Sequence, residues 1–217
     1  MTQLRRDAAR NRAALIAAGR DVFAERGPDA SLEEIARRAD VGIGTLYRHF
    51  PTREALIEVI FEEHFDQVVA AADAAAADED AWEGIVGFLE RVLDLQARNF
   101  PLRSVFLRLP TSPGIAERRK LIGPLLDLLV ERAREQGAVR DDLTVGDLSM
   151  AMWSFAPIFE ATAGIAPQAW RRHLQIVLDG MRPEAATPQT ARPLAGRQLE
   201  RAMEALRERY HRRRAAA

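Results

Sequence analysis

The chain has 217 residues, 47% of them hydrophobic, which is enough to bury a core in one domain or in a small domain joined to a larger one. It contains no cysteine, which excludes disulfides and cysteine-ligated metal centres and is typical of a reducing compartment. Lys and Arg number 31 against 32 Asp and Glu, so any attraction to a polyanion depends on how these charges are distributed.

The charges are distributed unevenly along the chain. Residues 1–53 contain ten arginines against seven acidic residues, whereas residues 62–83 contain acidic residues and no Lys or Arg. A polyanion is therefore expected to approach the first quarter of the chain, although solvated helix faces would explain either segment taken alone. No signal-like or membrane-spanning apolar segment is present, so a cytoplasmic protein without membrane contact is predicted.

Two helices are predicted in the first 40 residues. Apolar positions from Leu15 to Phe23 follow the helical period, and the Gly27–Pro28 pair ends that helix. Ser31 begins a capping-box sequence, in which its hydroxyl accepts from the backbone of Glu34 while the Glu34 carboxylate reaches back. The second helix is therefore expected to start at this point.

A turn and two further helices are predicted next. Asp40 tolerates the left-handed backbone that would turn the chain, and Gly42 can cap a short third helix. The helical period places Leu46 and Phe50 on the inner face of this third helix. Thr52 then caps a long fourth helix with a continuous apolar stripe.

The second and third helices have the spacing of a helix-turn-helix, and the outer face of the third helix carries the candidate DNA contacts. Gly44 leaves room for a close approach of the backbone to DNA, and Arg48 can pair with guanine through two hydrogen bonds. The predicted DNA-binding residues are Thr45, Tyr47, Arg48, His49 and Arg53. The alternative is that Tyr47 and His49 only cover a helix junction and that Arg48 is solvated.

The remainder of the chain is also predicted to be helical. Helices are predicted at about 80–98, 101–109 and 115–136, followed by one capped by Thr144 and one opened by Pro167. No alternating strand pattern competes, so the fold class is all-α. The predicted domains are 1–55, with the helix-turn-helix at 31–50, then a helical domain at 56–182, and a linker with a basic amphipathic segment at 183–217.

The last segment begins with a Pro/Ala-rich linker that is expected to be mobile. Beyond it, four apolar residues are spaced for one helical face among many arginines: Leu199, Met203, Leu206 and Tyr210. This segment could reinforce DNA contact, pack on a dimer, touch anionic lipid or fray, and fraying is the default interpretation.

Residues 31–57, "SLEEIARRADVGIGTLYRHFPTREALI", closely resemble the N-terminal signature of the TetR family of bacterial transcriptional regulators. The helical remainder extends the likeness to about residue 181. In the family pattern Thr45, Tyr47 and His49 meet DNA, and Arg53 takes a phosphate-contacting position where lysine is usual. The chain departs from the pattern at Asp40, Gly42 and Ile43, and Ile43 could touch phosphate, a thymine methyl or only the protein core.

The resemblance implies a homodimer that binds a pseudo-palindromic double-stranded operator, usually as a repressor, and is released by a small-molecule effector. It implies a partly hydrophobic ligand site lined by Phe88, Val92, Phe106, Leu125 and Met152. It also implies a dimer interface formed by Trp153, Phe155, Phe159, Trp170, Leu174 and Val177. The alternative for both sets is ordinary intrachain core.

No enzyme, cofactor or metal site is predicted. The four histidines are scattered, and no nucleophile elbow, zinc-binding HExxH or phosphate loop is present. Glu62, Glu63, His64 and Asp66 could mimic a metal cluster, but His64 falls on the apolar stripe of its helix and is interpreted as a packed histidine. A competing function is a helical ligand- or partner-binding protein in which the helix-turn-helix is only structural.

Overall fold

The computed structural model describes residues 2–27, 30–98, 113–194, 196–199, 201–202 and 204–205. Within these ranges the chain is helical and has no β-strand, which confirms the all-α prediction. No helix in this part of the chain is long and apolar enough to cross a bilayer. The helices are α1 (Thr2–Arg26), α2 (Leu32–Arg38), α3 (Ile43–His49), α4 (Arg53–Ala77), α5 (Ala81–Arg98), α6 (Pro113–Glu135), α7 (Val145–Thr162) and α8 (Ala169–Asp179), with a short 3-10 turn at Pro183–Ala185.

The start of α2 differs in one respect from the predicted capping box. The Ser31 hydroxyl accepts from the backbone N–H groups of Glu33 and Glu34, as expected of an N-cap. The Glu34 carboxylate, however, lies 3.0 Å from the Arg26 guanidinium of α1 instead of reaching back to the cap. A charged partner on a neighbouring helix thus replaces the local hydrogen bond.

Two buried clusters meet along α4. The first cluster joins α1, α2 and α3 to the N-terminal half of α4, as far as Phe61. The second begins on α4 at Val68 and continues through α5, α6, α7 and α8. Since α4 is a single 25-residue helix, roughly 37 Å long, it connects the two cores without a flexible linker. The predicted boundary after residue 55 falls within its first turn.

The caps in the C-terminal domain are partly as predicted. Thr144 and Asp147 form a reciprocal capping box at the start of α7, which confirms the cap at Thr144. Pro167 does not open the last helix, because α8 starts at Ala169 with Gln168 as its N-cap. The helix predicted at 101–109 lies outside the described residues.

Most of the predicted dimer-interface residues are core residues of a single chain. Phe155, Phe159, Trp170 and Leu174 are all buried within the second cluster, so the interface prediction is wrong for these four. Trp153 and Val177 are only half-buried. The large apolar residues that α7 and α8 do leave exposed are Met150 and Ile176, neither of which was predicted at the interface.

The segment after α8 contacts the C-terminal domain. Arg140, ahead of α7, donates to the Thr187 carbonyl at 2.7 Å. The Leu194 carbonyl lies against Gly146 in the first turn of α7, at a position where a Cβ would come within 2.0 Å of it. The predicted linker therefore has at least two points of contact with the domain. Of the predicted apolar face beyond it, Leu199 is described, whereas Met203, Leu206 and Tyr210 lie outside the described residues.

Candidate nucleic-acid interface

The turn between α2 and α3 is set by one left-handed residue. Asp40 has φ 53°, as the sequence predicts for a turning residue in place of glycine. Its N–H donates to the Arg37 carbonyl at 3.2 Å, and the next N–H, of Val41, donates to the Ala36 carbonyl at 2.9 Å. This pair of bonds is a Schellman motif, which ends α2 and fixes the direction in which α3 leaves.

The inner side of α3 anchors the helix on the first cluster. Gly42 takes the extended N-cap conformation predicted for it, and its carbonyl accepts from Thr45 and Leu46. Leu46 and Phe50 are fully buried, as the helical period predicts. Because the anchor residues lie on one side, the rotation of α3 about its axis is determined, and its opposite side faces solvent.

The outer side of α3 is open and polar. A Cβ added to Gly44 would meet no protein atom within 4 Å, and the Tyr47 side chain is 47% exposed. The Arg48 side chain folds back along its own helix, with Nε donating to the Gly44 carbonyl at 3.2 Å and Nη2 to the Thr45 hydroxyl at 3.1 Å. Ile43 is 37% exposed, which removes the protein core from the alternatives for this residue.

The two remaining predicted residues flank this open face. His49 is half-buried, and its ring lies 6.3 Å from that of Phe50, so its position follows from the packing of the helix end. Arg53 is the first residue of α4, directly after the Thr52 cap. It lies near Glu33 of α2, whose pKa is lowered first by the hydrogen bond from Ser31 and in smaller part by the Arg53 charge.

Other arginines of the domain are used to join α1 to α2. Arg38 binds the Glu25 carboxylate through two hydrogen bonds of 2.6 and 2.8 Å, and this contact lowers the pKa of Glu25. Arg26 pairs with Glu34 in the same region. Their positive charge is therefore largely matched within the protein, whereas the charge of Arg48 has no carboxylate in its described hydrogen bonds.

One residue at this surface was missed by the sequence pattern. The guanidinium of Arg12, on the exposed N-terminal half of α1, lies 5.4 Å from the centre of the Phe50 ring. Phe50 is the C-cap of α3, so Arg12 adds a positive charge beside the end of that helix. Only the packing of α1 against α3 reveals this, because the two residues are far apart in sequence.

His64 is a packed residue, in agreement with the sequence interpretation. Its ring makes an edge contact with Phe65, with 5.7 Å between ring centres. Desolvation, with a smaller effect from Arg20, lowers the pKa of His64 from 6.5 to about 4. Within the described ranges, no group of three or more acidic or histidine side chains is arranged to hold a metal ion.

This low pKa predicts a pH-dependent stability. Between these two pKa values the unfolded chain binds a proton at His64 that the folded chain does not, so stability falls as the pH is lowered. From about pH 7.5 to about pH 5 the expected loss is on the order of 2 kcal/mol. Urea titrations of the protein and of His64→Phe at both pH values would measure it; an equal loss in both proteins would show that His64 is not the cause.

The predicted ligand-site residues come together around the second cluster. Phe88 and Val92 of α5 belong to the cluster, and Leu125 of α6 and Met152 of α7 pack against it from partly exposed positions. Phe106 lies outside the described residues. The structure thus brings four of the five residues to one region of the C-terminal domain.

Comparison with family models matches both parts of the chain. Residues 15–60 match the model described as bacterial regulatory proteins, tetR family. Residues 80–183 match the SbtR-like C-terminal domain of transcriptional regulators. The first match covers the helix-turn-helix, and the second covers most of the C-terminal helices.

Solved structures and curated proteins give the same result. A TetR transcription regulatory protein from Mycobacterium vanbaalenii is 30% identical with a TM-score of 0.62, over 82% of this chain and 99% of that protein. The regulator SCO0520 from Streptomyces coelicolor is 34% identical with a TM-score of 0.59, over 79% and 98%. The HTH-type transcriptional repressor Rv3405c from Mycobacterium tuberculosis is 30% identical over 53% of this chain and 60% of its own length. An HTH-type transcriptional regulator from Staphylococcus aureus is 32% identical over 44% of this chain and 53% of its own length, so the matches span little more than half of these curated relatives.

Proposed function

Because the chain belongs to the TetR family of bacterial transcriptional regulators, we propose that it represses transcription by binding a two-fold symmetric operator as a homodimer. We propose further that a partly hydrophobic small molecule releases it from DNA. The repressor assignment is supported by the similarity to a named repressor.

The observation that carries the DNA-binding part of the proposal is the outer face of α3. It is attached by Leu46 and Phe50 on one side, and it presents Gly44, Tyr47 and Arg48 to solvent on the other. A helix of this kind can enter the major groove, where arginine pairs with guanine. Thr45, His49 and Arg53 flank it as proposed phosphate contacts.

A homodimer is proposed because a single helix-turn-helix domain binds DNA weakly. Two recognition helices read two half-sites about 34 Å apart, one turn of DNA, so symmetric pairing adds both contact areas. The exposed apolar residues Met150 on α7 and Ile176 on α8, beside the half-buried Trp153 and Val177, support a pairing surface on these two helices.

Substituting this surface is expected to separate the protomers. Ile176 is 58% exposed, so Ile176→Glu leaves the fold intact but buries an unpaired charge in the dimer, raising its dissociation constant by about a hundredfold or more. Sedimentation velocity over a range of concentrations would measure the change. Leu121→Glu on α6, at a side chain that is 56% exposed, is the matched control and should stay dimeric. Dissociation by the control alone would place the interface on α6 instead.

The proposed effector site lies among α5, α6 and α7, around the second cluster, to which Phe88 and Val92 belong and against which Leu125 and Met152 pack. An apolar ligand there would contact the same cluster that holds the C-terminal half of α4. A ligand shifts an equilibrium only by binding one conformer more tightly than the other, and α4 is the element through which such a difference would reach α3.

Selection from a random double-stranded DNA pool would test the function. The purified protein is expected to enrich a two-fold symmetric site, and a Tyr47→Ala, Arg48→Ala variant is expected to enrich none. If the protein itself enriches no site under low-salt conditions, the regulator proposal fails. The alternative, a ligand- or partner-binding protein with a structural helix-turn-helix, would then be favoured.

A further inference from the structure

A residue of the C-terminal domain is part of the core of the DNA-binding domain. Ile115 lies in the first turn of α6, yet it is only 4% exposed and belongs to the first buried cluster with residues of α1 to α4. The rest of α6 packs in the second cluster, through Leu126, Leu129 and Val130. The start of α6 therefore bridges the two cores.

One turn further, Arg118 ties α6 to α4. Its Nε donates to Asp66 Oδ1 at 2.6 Å and its Nη2 to Asp66 Oδ2 at 3.2 Å, while Nη1 lies 3.8 Å from the Glu62 carboxylate. The Glu62 carboxylate reaches over Gly114, where an added Cβ would lie 2.5 Å from Glu62 Oε1. The next residue, Arg119, lies over the Phe65 ring at 5.0 Å.

The same part of α4 is held by α1. Arg20 of α1 donates to Glu63 Oε2 at 2.6 Å. Gly19 sits where an added Cβ would lie 3.2 Å from the side chains of Leu56 and Ile60. Residues 60–66 of α4, where the two clusters meet, are thus held by α1 through Arg20 and by α6 through Arg118.

We propose that the first two turns of α6, through Ile115 and Arg118, fix the angle of the DNA-binding domain and so determine which half-site spacing the dimer accepts. Attached by α4 alone, the domain could follow any bend of that helix. The second attachment by α6 removes this freedom. Ile115 and Arg118 are positioning residues, since their role is to orient α3 and they do not themselves contact DNA. This inference rests on the proposed dimeric DNA binding.

The spacing of half-sites offers a direct test. One inserted base pair moves the half-sites apart by about 3.4 Å and rotates them by roughly 35°. The protein is expected to prefer one spacing strongly. Arg118→Glu places a carboxylate against Asp66 and Glu62, so the correctly spaced arrangement of the two DNA-binding domains becomes a minority of the population. The affinity ratio between the best and the shifted operators should therefore fall by about tenfold.

Two further variants make this result specific. Adding Asp66→Arg to Arg118→Glu restores an opposite-charge pair and should recover most of the spacing preference. Lys120→Glu is the control, a charge reversal on the same helix. In the part of the chain that the structure describes, Lys120 pairs with the exposed Glu117, so this variant should keep the normal spacing preference. A general effect of charge or stability would change the spacing preference equally in Arg118→Glu and in Lys120→Glu.

A measurement without DNA separates the outcomes. The chain has no cysteine, so Ala17→Cys on the exposed side of α1 allows one spin label per protomer, and the distance between labels in the dimer can be measured. Arg118→Glu should broaden that distance distribution, and Lys120→Glu should not. If the protein binds a symmetric site but Arg118→Glu changes neither spacing preference nor distances, this inference is wrong and the proposed function stands. If no symmetric site or no dimer is found, the proposed function itself fails.

Discussion

Replacing Tyr47 and Arg48 with alanine is expected to lower the affinity for the selected operator by about a thousandfold. Each bidentate arginine–guanine contact contributes about 1–3 kcal/mol, and a dimer would make the contact in both half-sites. A combined loss of about 4 kcal/mol corresponds to that factor. Before binding, Arg48 has to leave its contacts with Gly44 and Thr45, which are solvent-exposed hydrogen bonds and oppose the change only weakly.

The fold itself should tolerate this double substitution. Both side chains are exposed, and substitutions at such positions change stability by about 0.5 kcal/mol or less. Fluorescence anisotropy with labelled operator at several salt concentrations would give the affinity and its salt dependence, and thermal unfolding would check the fold. An unchanged affinity in the double variant would remove α3 as the recognition helix.

Gly44 provides an independent variant on the same face. Gly44→Leu adds a side chain that would meet no protein atom near its Cβ, and leucine favours helix over glycine by up to about 1 kcal/mol. The protein should become slightly more stable while its operator affinity falls, because the added side chain occupies the space through which the backbone approaches DNA. Equal or better binding by Gly44→Leu would contradict a close approach of α3 at this position.

Gly84→Ala is expected to be strongly destabilising, because α4 and α5 pack closely at this glycine. Its added Cβ would lie 2.6 Å from the Ala75 carbonyl oxygen and 2.9 Å from a Leu129 methyl carbon. The carbonyl belongs to the backbone of α4 and cannot rotate away as a side chain can. Separating α4 from α5 to relieve this contact should cost about 2–3 kcal/mol, measured as the free energy of unfolding in urea.

Gly87 is the matched control on the same helix. An added Cβ at Gly87 would meet no atom within 4 Å, so Gly87→Ala should stabilise the protein by up to about 1 kcal/mol through better helix propensity. Opposite signs for two alanine substitutions three residues apart would demonstrate that α4 and α5 cross closely at Gly84. If both substitutions stabilise the protein, α4 and α5 lie farther apart at Gly84 than the 2.6 Å distance from the added Cβ to the Ala75 carbonyl implies.

The features of this protein that the sequence predicts correctly are those that depend on residues within about four positions of one another. The left-handed Asp40, the Gly42 and Thr52 caps, the reciprocal Thr144 cap and the inward Leu46 and Phe50 are of this kind. Their hydrogen bonds and helix faces are local, so one stretch of chain contains all the information needed. The all-α class and the helix-turn-helix follow from the same local signals.

Other features depend on which helices become neighbours. The Glu34 carboxylate binds Arg26 on another helix, and Phe155, Phe159 and Trp170 pack inside one chain although their helical period would equally suit a dimer interface. Period and composition are the same for both kinds of apolar face, so only packing separates them.

The sequence by itself thus determined the helix-turn-helix and the residues on the outer face of α3, because helix rotation follows from local spacing. The tertiary structure alone decided that Arg12 lies beside the end of α3 and that Arg118 holds Asp66, a residue 52 positions away in the chain. Contacts of this kind have no periodic signature, because they form only when separate helices pack against each other.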